Sequence, residues 1–369
     1  MFKRVKINSF RSISTLEIDD LKRVNLFVGK NNCGKTSVLE GIYLLSNPLS
    51  ILNLVNIRNF GEKYDFETIS NLILSMFRNM DVDIPIEIEG DFDTNIKKKI
   101  EIEYDTDFII QYEEFEGDLP IGLKIKYIIN GNSNLDENCF NILVNERKLI
   151  ISENKSKKSI IPLRMGLRIP ILPLRAGFKK YSEVYGVGKS KYLSPKINLK
   201  DMIKLMDNLQ ISKEIGNIIK TLQKIEPSIK DLRIGAYDNI YCDTGAEKLM
   251  PINVMGDGLL RMLSILLVMY NAKDGYVFID EIENGLHYSS LEVLWKGIFE
   301  ASKEFNVQVF ATTHSWECIA AYRKVYDEYV NEMDGIRLYR IEKEDDDFIV
   351  IDYDEESMKV ALEEKWEMR

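Results

Sequence analysis

Apolar and polar residues alternate from Phe2 to Ser9 and again over Leu16-Glu17-Ile18, the period-two pattern of half-buried strands. Val24-Asn25-Leu26-Phe27-Val28 is a β-prone apolar run that reads as a third strand. From Ser37 to Leu45 the apolar residues recur at helical spacing, which predicts a helix reaching about Ser46 and stopped by Pro48. Residues 51–80 mix helix and loop, with apolar spacing at Ile69, Leu72, Ile73, Met76 and Phe77. From about residue 82 to 165 the pattern changes to short strands split by Gly, Asn, Asp and Lys turns. They fall at Ile84–Ile88, Lys99–Tyr104, Phe108–Tyr112, Leu123–Ile129, Phe140–Val144 and Leu149–Ile151, and read as an antiparallel β insertion. Leu167–Leu174 is an apolar strand broken by prolines. Helical periodicity returns from Asn198 to about Ile225, with Ser212 dividing it into two short helices. Leu232–Tyr241 and Glu247–Ile252 resume strand character.

The last third alternates the two periods. An apolar helix is predicted from Leu259 to Tyr270, a buried strand from Tyr276 into Asp280-Glu281, a helix from Tyr288 to Lys303, and a strand from Val307 to Ala311. Ile336–Ile341 and Phe348–Ile351 flank an acidic turn, most simply a solvated hairpin, and a helix from about Glu355 to Trp366 closes the chain. Strands alternating with helices at both ends predict an α/β fold with a mixed sheet. The expected organisation is a split α/β body of residues 1–60 and 230–369, a β-rich insertion over 61–175, and a basic loop with a short helical subdomain over 176–229.

The chemistry concentrates at the strand ends. Gly29-Lys30-Asn31-Asn32-Cys33-Gly34-Lys35-Thr36 fits the phosphate-loop spacing and sits between a strand and the helix that Ser37 opens, the context the motif requires. Glycines let backbone wrap phosphate oxygens, and N–H groups of the loop and the new helix point at the anion. Lys35 is then placed for the β- and γ-phosphates and Thr36 for Mg²⁺. Asp280, ending an apolar strand expected beside the loop strand and parallel to it, suits orientation of Mg²⁺. Glu281 follows, where a water can be polarised. The chain has two histidines, and both fall just after strands. His314 lies where open α/β sheets put ligands, which favours a γ-phosphate contact, while His287 divides evenly between such a role and a surface one. Arg11, between the first two strands, reaches a nucleotide or is an exposed turn arginine. Arg175, Lys179, Lys180, Lys189 and Lys191 with Tyr181, Tyr185 and Tyr192 form a basic and aromatic loop, more simply solvated than gripping nucleic acid.

Composition narrows the class. The chain has 369 residues, enough for about two or three subdomains. A net charge of −10 with interspersed signs lacks the global basic footprint of a nucleic-acid binder. Four cysteines without CxxC spacing imply neither a zinc site nor a disulfide framework. The N-terminal strand pattern does not read as a signal peptide, and the longest apolar run, around Leu259 to Tyr270, contains Arg261 and is too short to span a bilayer. The expectation is a soluble cytoplasmic protein with no membrane partner.

These residues together resemble an ABC-class ATPase head of the overcoming-lysogenization-defect (OLD) type. The likeness is greatest to the stand-alone AAA15-type ATPase subunits of bacterial anti-phage defence systems. It covers roughly residues 1–50 and 250–369 and rests on Asn8-Ser9-Phe10-Arg11-Ser12, the phosphate loop, Met255-Gly256-Asp257-Gly258, Phe278 to His287, and Ala311 to Glu317. It implies ATP and Mg²⁺ as ligands, and a head-to-head dimer or higher oligomer in which the signature loop of one subunit, here Gly256, Asp257 and Gly258, closes on the nucleotide of the other. Asn284 to His287 would cross between subunits, and His314 would be the switch histidine. The usual Ser-Gly-Gly of the signature loop is missing, and no Gln matches the loop that completes the Mg²⁺ shell. OLD nucleases append a Toprim domain of about a hundred residues, which residues 315–369 do not accommodate, so no nuclease domain is expected here. The implied function is an ATPase that regulates a separate effector protein, such as a Toprim-like nuclease. Two rivals stay open: a RecF- or SMC-like repair ATPase acting directly on DNA, and an ATP-closed scaffold with little turnover.

Overall fold

The computed structural model describes residues 1–47, 50–58, 66–93, 95–106, 121–131, 134–144, 148–153, 157–162, 189–195, 199–235, 239–329, 335–345 and 347–364. Phe108–Tyr112, Leu167–Leu174, Arg175, Lys179, Lys180, Tyr181 and Tyr185 lie outside the described residues.

The chain opens with β1 (Phe2–Phe10), β2 (Ile13–Ile18), β3 (Val24–Val28), α1 (Lys35–Ser46), α2 (Ser50–Arg58) and α3 (Phe66–Leu74). Then come β4 (Ile86–Phe92), β5 (Lys97–Tyr104), β6 (Ile121–Gly131), β7 (Asn134–Val144), β8 (Lys148–Glu153), β9 (Lys157–Pro162) and β10 (Ser190–Leu193). Helices α4 (Leu199–Ile211) and α5 (Ile215–Ile225) are followed by β11 (Asp231–Gly235), β12 (Asn239–Asp243) and β13 (Met250–Pro251). The chain continues through α6 (Asp257–Asn271), β14 (Tyr276–Ile279), α7 (Leu291–Glu304), β15 (Gln308–Thr312) and α8 (Trp316–Tyr329). It closes with β16 (Ile336–Glu344), β17 (Asp347–Tyr353) and α9 (Glu355–Glu363). Contacts divide it into two compact units: Met1–Leu21, Asn32–Gly188 and Ile341–Val350 form the first, and Lys22–Asn31, Lys189–Arg340 and Ile351–Arg369 the second.

In the first unit eight strands form a sheet in the order β2-β1-β4-β5-β6-β7-β8-β9. β4 pairs antiparallel with β1, Ile7 opposite Ile88, so the β-rich segment continues the N-terminal hairpin. Strand β4 starts at Ile86 rather than Ile84 because Pro85 has no N–H to enter the ladder. Helix α1 packs on β1, β4 and β5. Its Val38, Leu39, Ile42 and Leu45 are fully buried. A Cβ on Gly41 would meet Ile7 Cδ1 at 2.8 Å, so this close approach requires glycine.

Cross-strand ion pairs line the same sheet: Lys99–Glu87 at 3.0 Å, Lys124–Glu103 at 2.8 Å and Lys126–Glu103 at 2.9 Å. The Lys124 and Lys126 ammonium groups hold the Glu103 carboxyl down to about 2. Half-exposed pairs of this kind fix register more than they stabilise. Lys98 differs. It shares the buried positions of β5 with Ile100 and Ile102, is 7% exposed, and sits 4.8 Å from the Phe92 ring centroid. Burial pushes its ammonium down to about 8. The unfolded chain, with Lys near its ordinary value of about 10.4, therefore holds more protons between about pH 8 and 10.4. The penalty is full below pH 8 and is relieved as pH rises through that window. Lys98→Met is expected to raise stability at pH 7 by about 1–3 kcal/mol and to flatten the rise between pH 8 and 10. Urea unfolding at pH 7 and 9.5 measures both; a variant no more stable than wild type at pH 7 refutes the argument.

In the second unit β10, β14, β15, β3 and Ile336–Arg340 of β16 lie side by side in that order and run parallel. Every residue of β3 and β15 is buried, as expected of parallel strands covered on both faces. Helix α6 packs against β10, β14, α4, α5 and α7. Trp295 of α7 packs against Tyr322 of α8 with the rings tilted and their centroids 4.6 Å apart, and its Nε1–H donates to the Cys318 carbonyl. β14 is parallel to the loop strand β3 but not beside it. β15 lies between them and supplies the hydrogen bonds to both, correcting the expected adjacency. Lys189, Lys191 and Tyr192 also depart from expectation. Lys191 and Tyr192 belong to β10 and Lys189 immediately precedes it, because pairing with β14 organises a four-residue segment whose own pattern is too short to read. The expected strand over Leu232–Tyr241 is two, β11 and β12, paired antiparallel and joined with β13 in a small sheet. Among the described residues no helix is long and apolar enough to cross a membrane.

Candidate nucleotide site

In the second unit three neighbouring parallel strands end level. Ile279 of β14 pairs with Ala311 of β15, and Thr312 pairs with Phe27 of β3. The residues that follow are Asp280-Glu281, Thr313-His314 and Gly29-Lys30-Asn31. Thr313 N–H donates to the Phe27 carbonyl at 3.0 Å, tying the histidine segment to the strand that feeds the loop.

The Thr312 hydroxyl joins the two acids. It donates to Asp280 Oδ1 at 2.7 Å and accepts from the Glu281 N–H at 2.8 Å. Asp280 is 7% exposed, whereas Glu281 is exposed and has a left-handed φ of 47°. Arg261 of α6 is fully buried and donates to three carbonyls, from Nη1 to Ser194 and from Nη2 to Asp280 and Glu281, each at 2.9 Å. Burial pushes its guanidinium down to about 10, against the pull of Glu283, Asp280 and Glu281. Glu283 Oε1 accepts from the His314 backbone N–H and lies 3.0 Å from His314 Nδ1, so a proton on Nδ1 leaves the ring's other nitrogen turned away from Glu283. The His314 side chain is 55% exposed.

Gly256, with φ of 101°, caps α6, so Asp257 and Gly258 lie inside its first turn rather than ahead of it. The acid at this helix start complements the dipole. Gly258 and Gly285 approach Leu286 and Asp257 respectively, which makes Gly256–Gly258 and Asn284–His287 neighbouring segments of one unit. Asn284 and His287 are exposed. His287 Nδ1 lies 2.9 Å from Ser289 Oγ and accepts from the Ser289 N–H, capping the short turn that follows.

In the first unit the loop completes as Asn32-Cys33-Gly34-Lys35-Thr36-Ser37. Gly34 has φ of +91°, and a Cβ there would fall 2.7 Å from Phe348 Cε1; only glycine fits. Helix α1 starts at Lys35 with no side-chain cap and no acid in its first turn, an arrangement that suits an anion at its N-terminal N–H groups. Lys35 Nζ is 3.9 Å from Cys33 Sγ. Arg11 is not an exposed turn residue: its side chain is 13% exposed and its Nε donates to Glu40 Oε2 of α1 at 2.5 Å. Nη1 adds a bond to Ser75 Oγ at 3.2 Å. The boundary between the units falls between Asn31 and Asn32, so Gly29, Lys30 and Asn31 are counted with the second.

Among the described residues no group of three or more His, Cys, Asp and Glu could cage a cation. A single buried carboxylate is what Mg²⁺ bound chiefly through phosphates and waters calls for, and Asp280 fits it.

The family described as "AAA domain, putative AbiEii toxin, Type IV TA system" matches residues 24–319. The chain belongs to this AAA family. The AAA-family chain is also similar to an "ATP/GTP phosphatase" of Helicobacter pylori, 23% identical and covering 95% of this chain and 94% of that protein. It resembles "DNA replication and repair protein RecF" of Bacteroides fragilis at 29% identity over 76 residues, 21% of this chain and 20% of that one. Among solved structures it is similar to the "SMC head domain from Thermotoga maritima", with a TM-score of 0.45, 11% identity, and coverage of 96% and 99%.

The motifs assign no role to three residues of this strand-end cluster: Arg261, Thr312 and Glu283. Arg261 shows in the sequence only as a cation inside an apolar helix run, and Thr312 only as the first of two threonines before His314. Their roles rest on bonds to backbone and to distant carboxylates, which no local pattern records.

Proposed function

We propose that this chain binds ATP with Mg²⁺ and hydrolyses it. The observation that carries the reading is the level ending of β3, β15 and β14, which gathers the start of the phosphate loop, His314 and the Asp280-Glu281 pair at the C-terminal edge of one parallel sheet. Gly29 to Ser37 hold the phosphates, with Lys35 on the β- and γ-phosphates and Thr36 and Asp280 serving the metal. When bound, Mg²⁺ would neutralise phosphate charge. Glu281 polarises the attacking water and His314 senses the γ-phosphate through a ring oriented by Glu283. Gly256, Asp257 and Gly258 of one copy close on the nucleotide of another, with Asn284 and His287 at the crossing. Arg11 acts through α1, which it anchors at Glu40. The split head of residues 1–60 and 230–369 carries this chemistry.

The finer role is regulation of a separate effector in anti-phage defence, in the manner of OLD and AAA15-type ATPases. The family description, which speaks of a toxin and a toxin–antitoxin system, supports it. The deciding experiment is a multiple-turnover ATPase assay with solution mass measured with ATP, with ADP and without nucleotide. Mg²⁺-dependent turnover and an ATP-dependent rise in mass are expected; neither appearing would sink the reading. A second reading, direct action on DNA, draws on the RecF likeness, and the net charge of −10 opposes it. Salt-dependent DNA binding by the isolated chain would favour it.

A further inference from the structure

We propose that Arg261 and Thr312 are positioning residues that lock Glu281 in its left-handed backbone conformation, and that hydrolysis depends on both. The proposal rests on the ATPase reading above and adds to it the device that aims Glu281.

A glutamate at φ of 47° is in a region that side-chain-bearing residues avoid, and such residues persist only where the surroundings over-determine them. Here both ends of the residue are held. Its N–H donates to Thr312 Oγ1 at 2.8 Å and its carbonyl accepts from Arg261 Nη2 at 2.9 Å. The same Nη2 takes the carbonyl of Asp280, and Ile282 N–H donates to the Thr312 carbonyl at 3.0 Å, so the peptides on either side are fixed as well. The Thr312 hydroxyl, still donating to Asp280 Oδ1, links the carboxylate of one acid to the main chain of the other.

Arg261 is an expensive way to build a core. It is fully buried in a helix whose neighbouring positions Leu259, Met262, Leu263 and Ile265 are also buried and apolar. Its Nε has no hydrogen-bond partner among the described residues. An apolar residue would fill the helix face without desolvating a cation. What the guanidinium does that an apolar residue cannot is bind together the carbonyls that follow β14 and β10. Without these bonds residue 281 is free to relax to negative φ, which swings its carboxylate away from its present direction.

The test uses the full chain and compares Thr312→Val, Thr312→Ser and Arg261→Lys, each in the wild-type and Glu281→Gln backgrounds. Thr312→Val should lower kcat about 100-fold, the usual cost of a misplacement of about 1 Å. KM and the Kd of a fluorescent ATP analogue should stay within about twofold, because the loop residues that hold the phosphates are untouched by the substitution. Thr312→Ser, which keeps the hydroxyl, should recover kcat to within about threefold of wild type. In the Glu281→Gln background Thr312→Val should cost clearly less than in the wild-type background, since the part of its effect that runs through Glu281 is gone and only the lost bond to Asp280 Oδ1 remains. Wild-type kcat in Thr312→Val, or an equal loss in both backgrounds, overturns the proposal. Should Thr312→Val fail to fold, Arg261→Lys, which keeps the charge and loses the fork, carries the same expectations. An inactive wild type would instead overturn the ATPase reading beneath it.

Discussion

Lys35→Ala protein is expected to bind no ATP at concentrations that saturate wild type, and its turnover falls to background. The loop offers a phosphate mainly backbone N–H groups. Gly34 holds the turn at φ +91°, and α1 begins at once with neither a side-chain cap nor an acid. Lys35 is the loop cation at that helix start. Losing its charge-assisted bonds costs about 3 kcal/mol or more, roughly a hundredfold or more in affinity. ATP-induced thermal stabilisation is the direct measure, because a ligand that binds only the folded chain raises its melting temperature by mass action. An unchanged thermal shift in Lys35→Ala would remove the loop from the site.

Glu281→Gln should do the opposite: keep ATP and stall. The Arg261 and Thr312 bonds at this position go to the carbonyl and N–H of residue 281, so the substitution leaves the backbone geometry in place. What is lost is the base. Removing a general base costs about 10²–10⁴ in rate, and the Kd for ATP should not move. The variant should also accumulate the ATP-closed oligomer, since closure outlasts a stalled chemical step. Single-turnover kinetics with mass measurement separate the two effects. Equal turnover in Glu281→Gln and wild type would count against this assignment and would transfer attention to Glu283, whose Oε1 is committed to His314.

How much of this could be read from residues alone differs by element. The phosphate loop was legible because its motif is local: glycine where backbone must turn, lysine where phosphate charge must be met, a strand before and a helix after. The short helices α4 and α5 and the break between them were legible for the same reason, through periodicity and Ser212. β9 was not foreseen, because strand limits depend on the partner's ladder as well as on the strand's own pattern.

Arg11 shows the limit from another side. Its position between two strands left a nucleotide contact and an exposed turn as alternatives, and the buried partner Glu40 lies 29 residues away on a helix. Lys98 likewise looks like one more lysine in a charged strand until the face it occupies is known.

The sequence by itself determined the α/β class, the phosphate loop and the positions of Asp280, Glu281 and His314 at strand ends, since each follows from short-range periodicity or from the stereochemistry of a few consecutive residues; His287, expected just after a strand, instead caps the short turn before α7. Only the tertiary structure decided that β15 separates β14 from β3, that β4 extends the N-terminal hairpin, and that Arg261, Thr312 and Glu283 hold Glu281 and His314. Those are pairings between residues far apart along the chain. They are selected by which surfaces bury together and which backbone groups then need partners, and no window of sequence contains both halves of such a bond.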